Sequence, residues 1–163
     1  MSNALNFIDD ILKKQKAHSQ AFPYEEILLT RLCLMTFSRL AENRNQFFKQ
    51  HNINESLFMT LAIINSMDEK CIQPCELSRI LSASKTHVTR IADDLIERGY
   101  LQRLKNPKDG RSQLLGLTQQ GSTFLEMILP KQHGQLTKLW SALEPQEQVQ
   151  LESIMRKLFN SLD

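Results

Sequence analysis

Apolar residues recur every three or four positions along most of the chain, which is typical of helices that bury one face. Residues 24–48 form the longest pattern of this kind. Asn54 is a suitable N-cap for a second helix, and Pro74 suits the first turn of a third, short helix. The side chains that these two helices are expected to bury are Leu57, Phe58, Leu61 and Ile64, then Leu77, Ile80 and Leu81.

A fourth helix is predicted between Ser84, a good N-cap, and Gly99, a good C-terminal stop. Its expected buried stripe is Val88, Ile91, Ala92 and Leu95, and its expected exposed face carries Thr86, Thr89, Arg90, Asp93 and Glu97. Hydroxyls and cations lie in its first half and acids in its second half, the reverse of what the helix dipole favours. With the preceding helix and the tight turn at residues 82–83, it forms a helix-turn-helix pattern. Many helical hairpins share this pattern, so alone it indicates DNA binding only weakly.

Two short runs with strand character follow, YLQRLK at 100–105 and QLLGLT at 113–118. The loop between them, NPKDGRS, contains a proline, a glycine and the cations Lys108 and Arg111. These segments predict a β-hairpin with a cationic tip. A plain surface hairpin with solvated charges is the alternative. A hairpin placed directly after a helix-turn-helix makes a winged helix, in which the wing reaches the groove beside the one that the helix enters.

The last third of the chain is again helical in pattern. Thr118 can cap a long final region, which is expected to be interrupted at Pro130 and to begin a new helix at Pro145. Its apolar rows exceed what a small winged-helix core can cover, so the first and last segments are expected to pack on each other and on a second subunit. The predicted fold is mainly α with a small β-hairpin wing (α+β). A winged helix-turn-helix domain at 53–117 is flanked by dimerisation helices at 1–52 and 118–163.

The chain has 163 residues, of which 41% are hydrophobic and 23% charged, as in ordinary globular proteins. Its longest apolar runs are far shorter than the roughly 20 residues of a membrane span, and its N-terminal stretch contains acids and does not resemble a signal peptide. A cytoplasmic protein without membrane contact is expected. The net charge is only +2, but the segment from Lys70 to Leu115 holds nine bases and five acids, a net of +4. This distribution points weakly to a polyanionic partner.

An odd number of cysteines, Cys33, Cys71 and Cys75, predicts reduced thiols that fill space as small apolar groups. Cys71, Cys75 and His87 could be metal ligands, but no fourth ligand is evident, so neither a metal nor a cofactor is expected. An enzyme is not expected either, because adjacent aspartates diverge by about 100° on a helix and no phosphate loop or nucleophile motif occurs. A helical protein-interaction module is the stronger alternative to DNA binding.

The order of a helical N-terminus, a winged helix with the D-x-R motif Asp109-Gly110-Arg111, the L-T-x-x-G motif at 117–121 and two closing helices resembles the MarR family of bacterial transcription regulators. The likeness covers nearly the whole chain. Phrases such as FPYEEILLTRLCL, TRIADDLIERG and LWSAL are more similar still to the multidrug efflux pump repressors of the EmrR (MprA) type within that family. D-x-R alone is moderately specific, whereas the ordered set is highly specific.

The resemblance implies an obligate homodimer that binds an inverted-repeat operator in double-stranded DNA, with a helix in each of two major grooves and a wing arginine in the minor groove. It also implies that the protein releases the operator when a small lipophilic aromatic compound binds. The genes under its control are expected to serve efflux or stress responses. Some members of the family instead sense oxidants through a cysteine near the start of the first helix. Cys33 lies well inside that helix, which argues against redox sensing here.

These expectations assign roles to individual residues. The residues expected at the major groove or its phosphates are Ser84, Lys85, Thr86, His87, Thr89 and Arg90. Lys108 and Arg111 are expected at the minor groove, with Asp109 orienting Arg111 through a carboxylate–guanidinium pair. The residues considered for the inducer cleft are Met35, Phe58 and Met67, although Met and Phe at helical spacing are more often core.

Overall fold

The computed structural model describes residues 3–19, 21–107 and 112–162, and the chain forms two compact units, Met1–Glu55 and Ser56–Asp163. The prediction of a mainly helical protein with a small sheet is confirmed. The division into three functional segments stays a prediction. Within the described part of the chain, no helix has the length and apolar character needed to cross a membrane.

The first unit contains helix α1 (Asn3–His18) and helix α2 (Tyr24–Gln50), which confirms the long helix predicted at 24–48. Polar side chains connect the two helices. The Tyr24 hydroxyl donates to Asp9, and Lys13 Nζ lies 2.5 Å from the other oxygen of the same carboxylate. The hydrogen bond from Lys13, followed by the one from Tyr24, lowers the pKa of Asp9. The carboxylate therefore favours its charged form at the contact between the helices.

The next three helices are α3 (Glu55–Ser66), α4 (Pro74–Ile80) and α5 (Lys85–Glu97). All four side chains predicted to be buried on α3 are buried. On α4, Leu77 is buried as predicted, but the prediction for Ile80 is wrong, because this side chain is 48% exposed. Ile80 lies about 60° around the helix axis from Leu77, and a helix of two turns buries only a narrow stripe.

Three short strands form one antiparallel sheet in the order β1-β3-β2. Strands β2 (Leu101–Lys105) and β3 (Gln113–Leu117) confirm the predicted hairpin. Strand β1 (Cys71–Ile72) was not predicted, because two residues are too few to show the alternation typical of a strand. It pairs with β3 and joins the segment before α4 to the hairpin.

Helix α6 (Gln119–Trp140) and helix α7 (Pro145–Asn160) complete the chain. The start of α7 at Pro145 is as predicted. The predicted interruption at Pro130 is wrong, because α6 continues through it. A proline inside a helix removes one backbone hydrogen bond. The turns on both sides of it are buried through Ile128 and Gln132, and this packing keeps the helix continuous.

The L-T-x-x-G motif joins the start of α6 to the end of α5. Thr118 accepts a hydrogen bond from Gly121 N at 3.0 Å, as predicted for an N-cap, and its hydroxyl donates to Gly99 O at 2.6 Å. A Cβ atom at Gly121 would lie 2.3 Å from the carbonyl oxygen of Tyr100. Glycine is therefore required for this close approach, which holds α5 in place from its C-terminal end.

The prediction that all three cysteines fill space is wrong for Cys33 and Cys75, which are exposed, whereas Cys71 is half-buried. Cys33 belongs to an apolar row of α2 whose other members, Leu29 and Phe37, are 61% and 71% exposed. The row is apolar as the sequence indicates, but among the described residues of a single chain nothing covers it.

Candidate nucleic-acid interface

Helix α5 has the two ends that the sequence predicts. Ser84 is extended, with φ −67° and ψ 152°, and its Oγ accepts a hydrogen bond from His87 N at 3.2 Å. At the other end Gly99 has φ +75°, a conformation that glycine adopts without strain. The cap satisfies one N–H group of the first turn, and the first turn contains no acid. Its positive end is thus open to an anion.

The two faces of α5 are also as predicted. The four residues of its apolar stripe are buried, and the helix packs on α4 and β2. The exposed residues in its first half and at its cap are Ser84, Lys85, Thr86, His87, Thr89 and Arg90. All six candidates for major-groove contacts therefore lie at the surface, on one capped helix end.

The turn between α4 and α5 is closed by a residue that the sequence reasoning missed. Ser78 Oγ donates to Ala83 O at 2.6 Å, and Ala83 N donates to Ser78 O at 3.0 Å. Between them Ser82 adopts φ 49°, in the left-handed region. This reciprocal pair sets the direction in which α5 leaves the turn. The signal in the sequence was a hydroxyl residue five positions before Ala83.

Two acids in the second half of α5, Asp93 and Asp94, are paired with basic residues. Arg103 Nη2 on β2 lies 2.6 Å from Asp93 Oδ1. Arg98 pairs with Asp94 one turn earlier, and this hydrogen bond raises the pKa of Arg98. Two of the bases that make the middle segment positive are thus paired with acids of the same helix-turn-helix. Of the other described bases in this segment, Lys85 and Arg90 are exposed in the N-terminal half of α5 and Lys105 is exposed at the end of β2.

The base of the hairpin is closed by a buried amide. Asn106 N donates to Ser112 O at 3.2 Å, and Asn106 Nδ2 donates to Ser112 Oγ at 2.8 Å. This pair extends the hairpin one position beyond β2, whose last residue, Lys105, is exposed. Lys108, Asp109 and Arg111, the candidates for minor-groove contacts, lie outside the described residues.

The candidate inducer residues occupy different environments. Phe58 is 3% exposed in α3 and contributes to the core, whereas Met35 in α2 and Met67 just after α3 are half-buried. Met35 belongs to the first unit, and Phe58 and Met67 belong to the second. Their role in binding a ligand stays a prediction.

The cysteine chemistry gives a clearer result for Cys71. Burial and the nearby carboxylate of Glu69, 3.9 Å from Sγ, raise the pKa of this thiol. Since the thiolate is the form that oxidants attack, this environment disfavours redox sensing by Cys71. Among the described residues no group of three or more His, Cys, Asp or Glu side chains is placed to hold a metal ion.

Comparison with known proteins identifies the family of this chain. The sequence profile of the MarR family matches residues 53–113, from two residues before α3 to the first residue of β3. Transcriptional repressor MprA of Escherichia coli K12 is 47% identical over 163 residues, which is 100% of this chain and 93% of the relative. HTH-type transcriptional regulator PapX of Escherichia coli is 32% identical over 156 residues, covering 96% of this chain and 95% of the relative.

A solved structure supports the fold. A mutant MarR from Escherichia coli, crystallised with operator DNA, matches with a TM-score of 0.68 and 30% identity, covering 82% of this chain and 95% of that chain. The match to the family profile, the identity along the full chain and the shared fold confirm the resemblance inferred from the motifs. The chain belongs to the MarR family of transcription regulators.

Proposed function

We propose that this protein is a cytoplasmic, homodimeric transcriptional repressor that binds an inverted-repeat operator through α5 and the hairpin wing. The observation that carries the proposal is the N-terminal half of α5, where a capped helix end without acids exposes hydroxyl, imidazole and cationic side chains. The relative MprA is called a transcriptional repressor, and a MarR structure contains operator DNA. Both support the assignment of this surface to DNA.

The chemistry of the helix end suits a major groove. Free N–H groups and the dipole at a helix N-terminus favour phosphate, and short hydroxyl side chains can contact either phosphates or base edges. Arg90 is exposed in the same half of α5, and its guanidinium has the fork of donors that matches the acceptor edge of guanine. The wing would then place Lys108 and Arg111 in the adjacent minor groove, with Asp109 orienting Arg111.

The dimer is supported by apolar surface that a single chain leaves uncovered. Helix α7 has no buried residue, and its side chains Ile154 and Phe159 are 62% and 70% exposed. Surfaces of this kind mark interfaces between subunits. A second copy of the chain would cover them, and its twofold symmetry would place two recognition helices about one turn of DNA apart.

The proposed signal is a lipophilic aromatic compound whose binding weakens operator binding, and the proposed targets are efflux or stress-response genes. The proposal is supported by the 47% identity to MprA and by a relative called multiple antibiotic resistance protein MarR, which is 33% identical over 138 residues. Met35, Phe58 and Met67 are the candidate contacts. The pKa of Cys71 argues against the alternative in which this thiol detects an oxidant.

The test is selection of binding sites from a pool of random duplexes, followed by titration of the Arg90→Ala variant. The selected sites are expected to be inverted repeats. Arg90→Ala removes one base contact from each half-site, which should weaken binding by about 5- to 150-fold per half-site and relax the preference at one base pair in each. Lys131→Ala, at an exposed position of α6, is the matched control and should bind as the wild type does. Selection that enriches no sequence would contradict the proposal.

A further inference from the structure

One acid of α5 lies on the row of residues that the proposed function turns toward DNA. Asp93 follows Thr89 by four positions and Arg90 by three, so the three side chains share one face of the helix. The Asp93 side chain is 59% exposed. A carboxylate in this position without a partner would repel the phosphates beside the groove.

Arg103 of β2 reaches across to this acid. Its Nη2 lies 2.6 Å from Asp93 Oδ1, and its Nη1 donates to Gln113 Oε1 of β3 at 3.4 Å. The Arg103 side chain is itself 43% exposed. The guanidinium thus lies at the surface beside the recognition row, connected to the helix on one side and to the wing strands on the other.

We propose that Asp93 is a specificity-determining residue, which holds Arg103 away from the DNA backbone and so limits binding to non-specific DNA. The inference rests on the proposed function, because it assigns this face of α5 to DNA. Phosphate contacts provide affinity without sequence information. An arginine without a carboxylate partner at this surface could bind the phosphates of any duplex. The ion pair of Arg103 with Asp93 has no net charge, so it attracts phosphates much less.

The neighbouring acid provides a matched comparison. Asp94 is also paired with an arginine, but its partner Arg98 is the C-cap residue of α5, so this pair lies at the C-terminal end of that helix. On a helix, Asp94 points about 100° away from Asp93 and so lies off the recognition row. Breaking this second ion pair should therefore leave the contacts to DNA unchanged.

The test compares Asp93→Asn with Asp94→Asn on a random-sequence duplex and on a site selected from a random pool, over a range of salt concentrations. Each additional phosphate contact steepens the slope of log K against log salt by about 0.9, and the homodimer gains one contact per subunit, about 1.8 in all. Asp93→Asn should therefore lose about 12-fold more affinity than the wild type between 50 and 200 mM salt. Its preference for the selected site over the random duplex should fall. Asp94→Asn should match the wild type in both measurements.

The double variant Asp93→Asn/Arg103→Gln identifies the cation responsible and should return the slope to the wild-type value. A steep slope that persists in the double variant would overturn the inference, because another cation would then be its source. So would a wild-type slope in a folded Asp93→Asn variant, checked by its circular dichroism and melting temperature. If the wild type itself binds neither duplex, the proposed function fails and not only the role of Asp93.

Discussion

Replacing Gly121 with alanine tests how α6 is attached to the recognition helix. The added Cβ would lie 2.3 Å from the carbonyl oxygen of Tyr100 and 2.8 Å from Leu117 Cδ1, whereas ordinary contacts begin near 3.4 Å. The leucine side chain can move aside. The Tyr100 carbonyl cannot do so without cost, because it accepts a hydrogen bond from Thr118 N at 3.1 Å.

The expected magnitude follows from three contributions. Overpacking of a tight site costs about 1 to 3 kcal/mol, and weakening a hydrogen bond to the Tyr100 carbonyl costs about 1 kcal/mol more. Alanine is the better helix former by about 1 kcal/mol, which offsets part of this loss. Gly121→Ala should therefore lower the free energy of unfolding by about 1 to 3 kcal/mol. For a chain of this length, that lowers Tm by about 2 to 12 °C.

Thermal unfolding followed by circular dichroism, at a fixed protein concentration, measures this shift. Gly134→Ala in the same helix is the matched control, because its Cβ would meet nothing within 4 Å. That substitution should raise the free energy of unfolding by up to about 1 kcal/mol through helix propensity alone. The reasoning is refuted if Gly121→Ala melts at or above the wild-type temperature, or if both variants shift Tm upward alike.

Three further predictions concern assembly, acid stability and regulation. A chain ending before Glu144 lacks the exposed apolar face of α7 and should be monomeric, insoluble or unfolded in sedimentation experiments; a folded dimer with full DNA affinity would place the interface elsewhere. Because the folded pKa of Asp9 lies below its ordinary value of 3.8, its contribution to stability is present above pH 3.8 and is lost as the pH falls through the folded pKa. Asp9→Asn should remove the loss of stability that protonation of Asp9 causes in the acid denaturation curve. An unchanged curve would exclude a stabilising role for the Asp9 carboxylate. In calorimetric titrations, lipophilic aromatic weak acids should bind about 5- to 150-fold more weakly when operator DNA is present; equal affinities would exclude them as inducers.

Several features of this protein could be predicted because they depend on residues close together in the chain. Ser84 and Thr118 cap helices through an N–H group three residues away, and Pro145 begins a helix because its missing N–H is not needed there. The buried stripe of α5 follows from helical periodicity alone. The reversed charge pattern of this helix also follows from the order of its residues, and it leaves the N-terminal end without acids.

Other features depend on contacts between residues that are far apart in the sequence. Strand β1 exists because β3, more than 40 positions later, offers it a partner. Helix α6 continues through Pro130 because packing on both sides outweighs the lost hydrogen bond. Arg103 and Asp93 are ten residues apart, and no local pattern showed that they form an ion pair. A net charge counts all bases alike, whereas the fold determines which of them are paired with acids and which are left at the surface for DNA, since Coulomb attraction depends on distance in space and not on position in the chain.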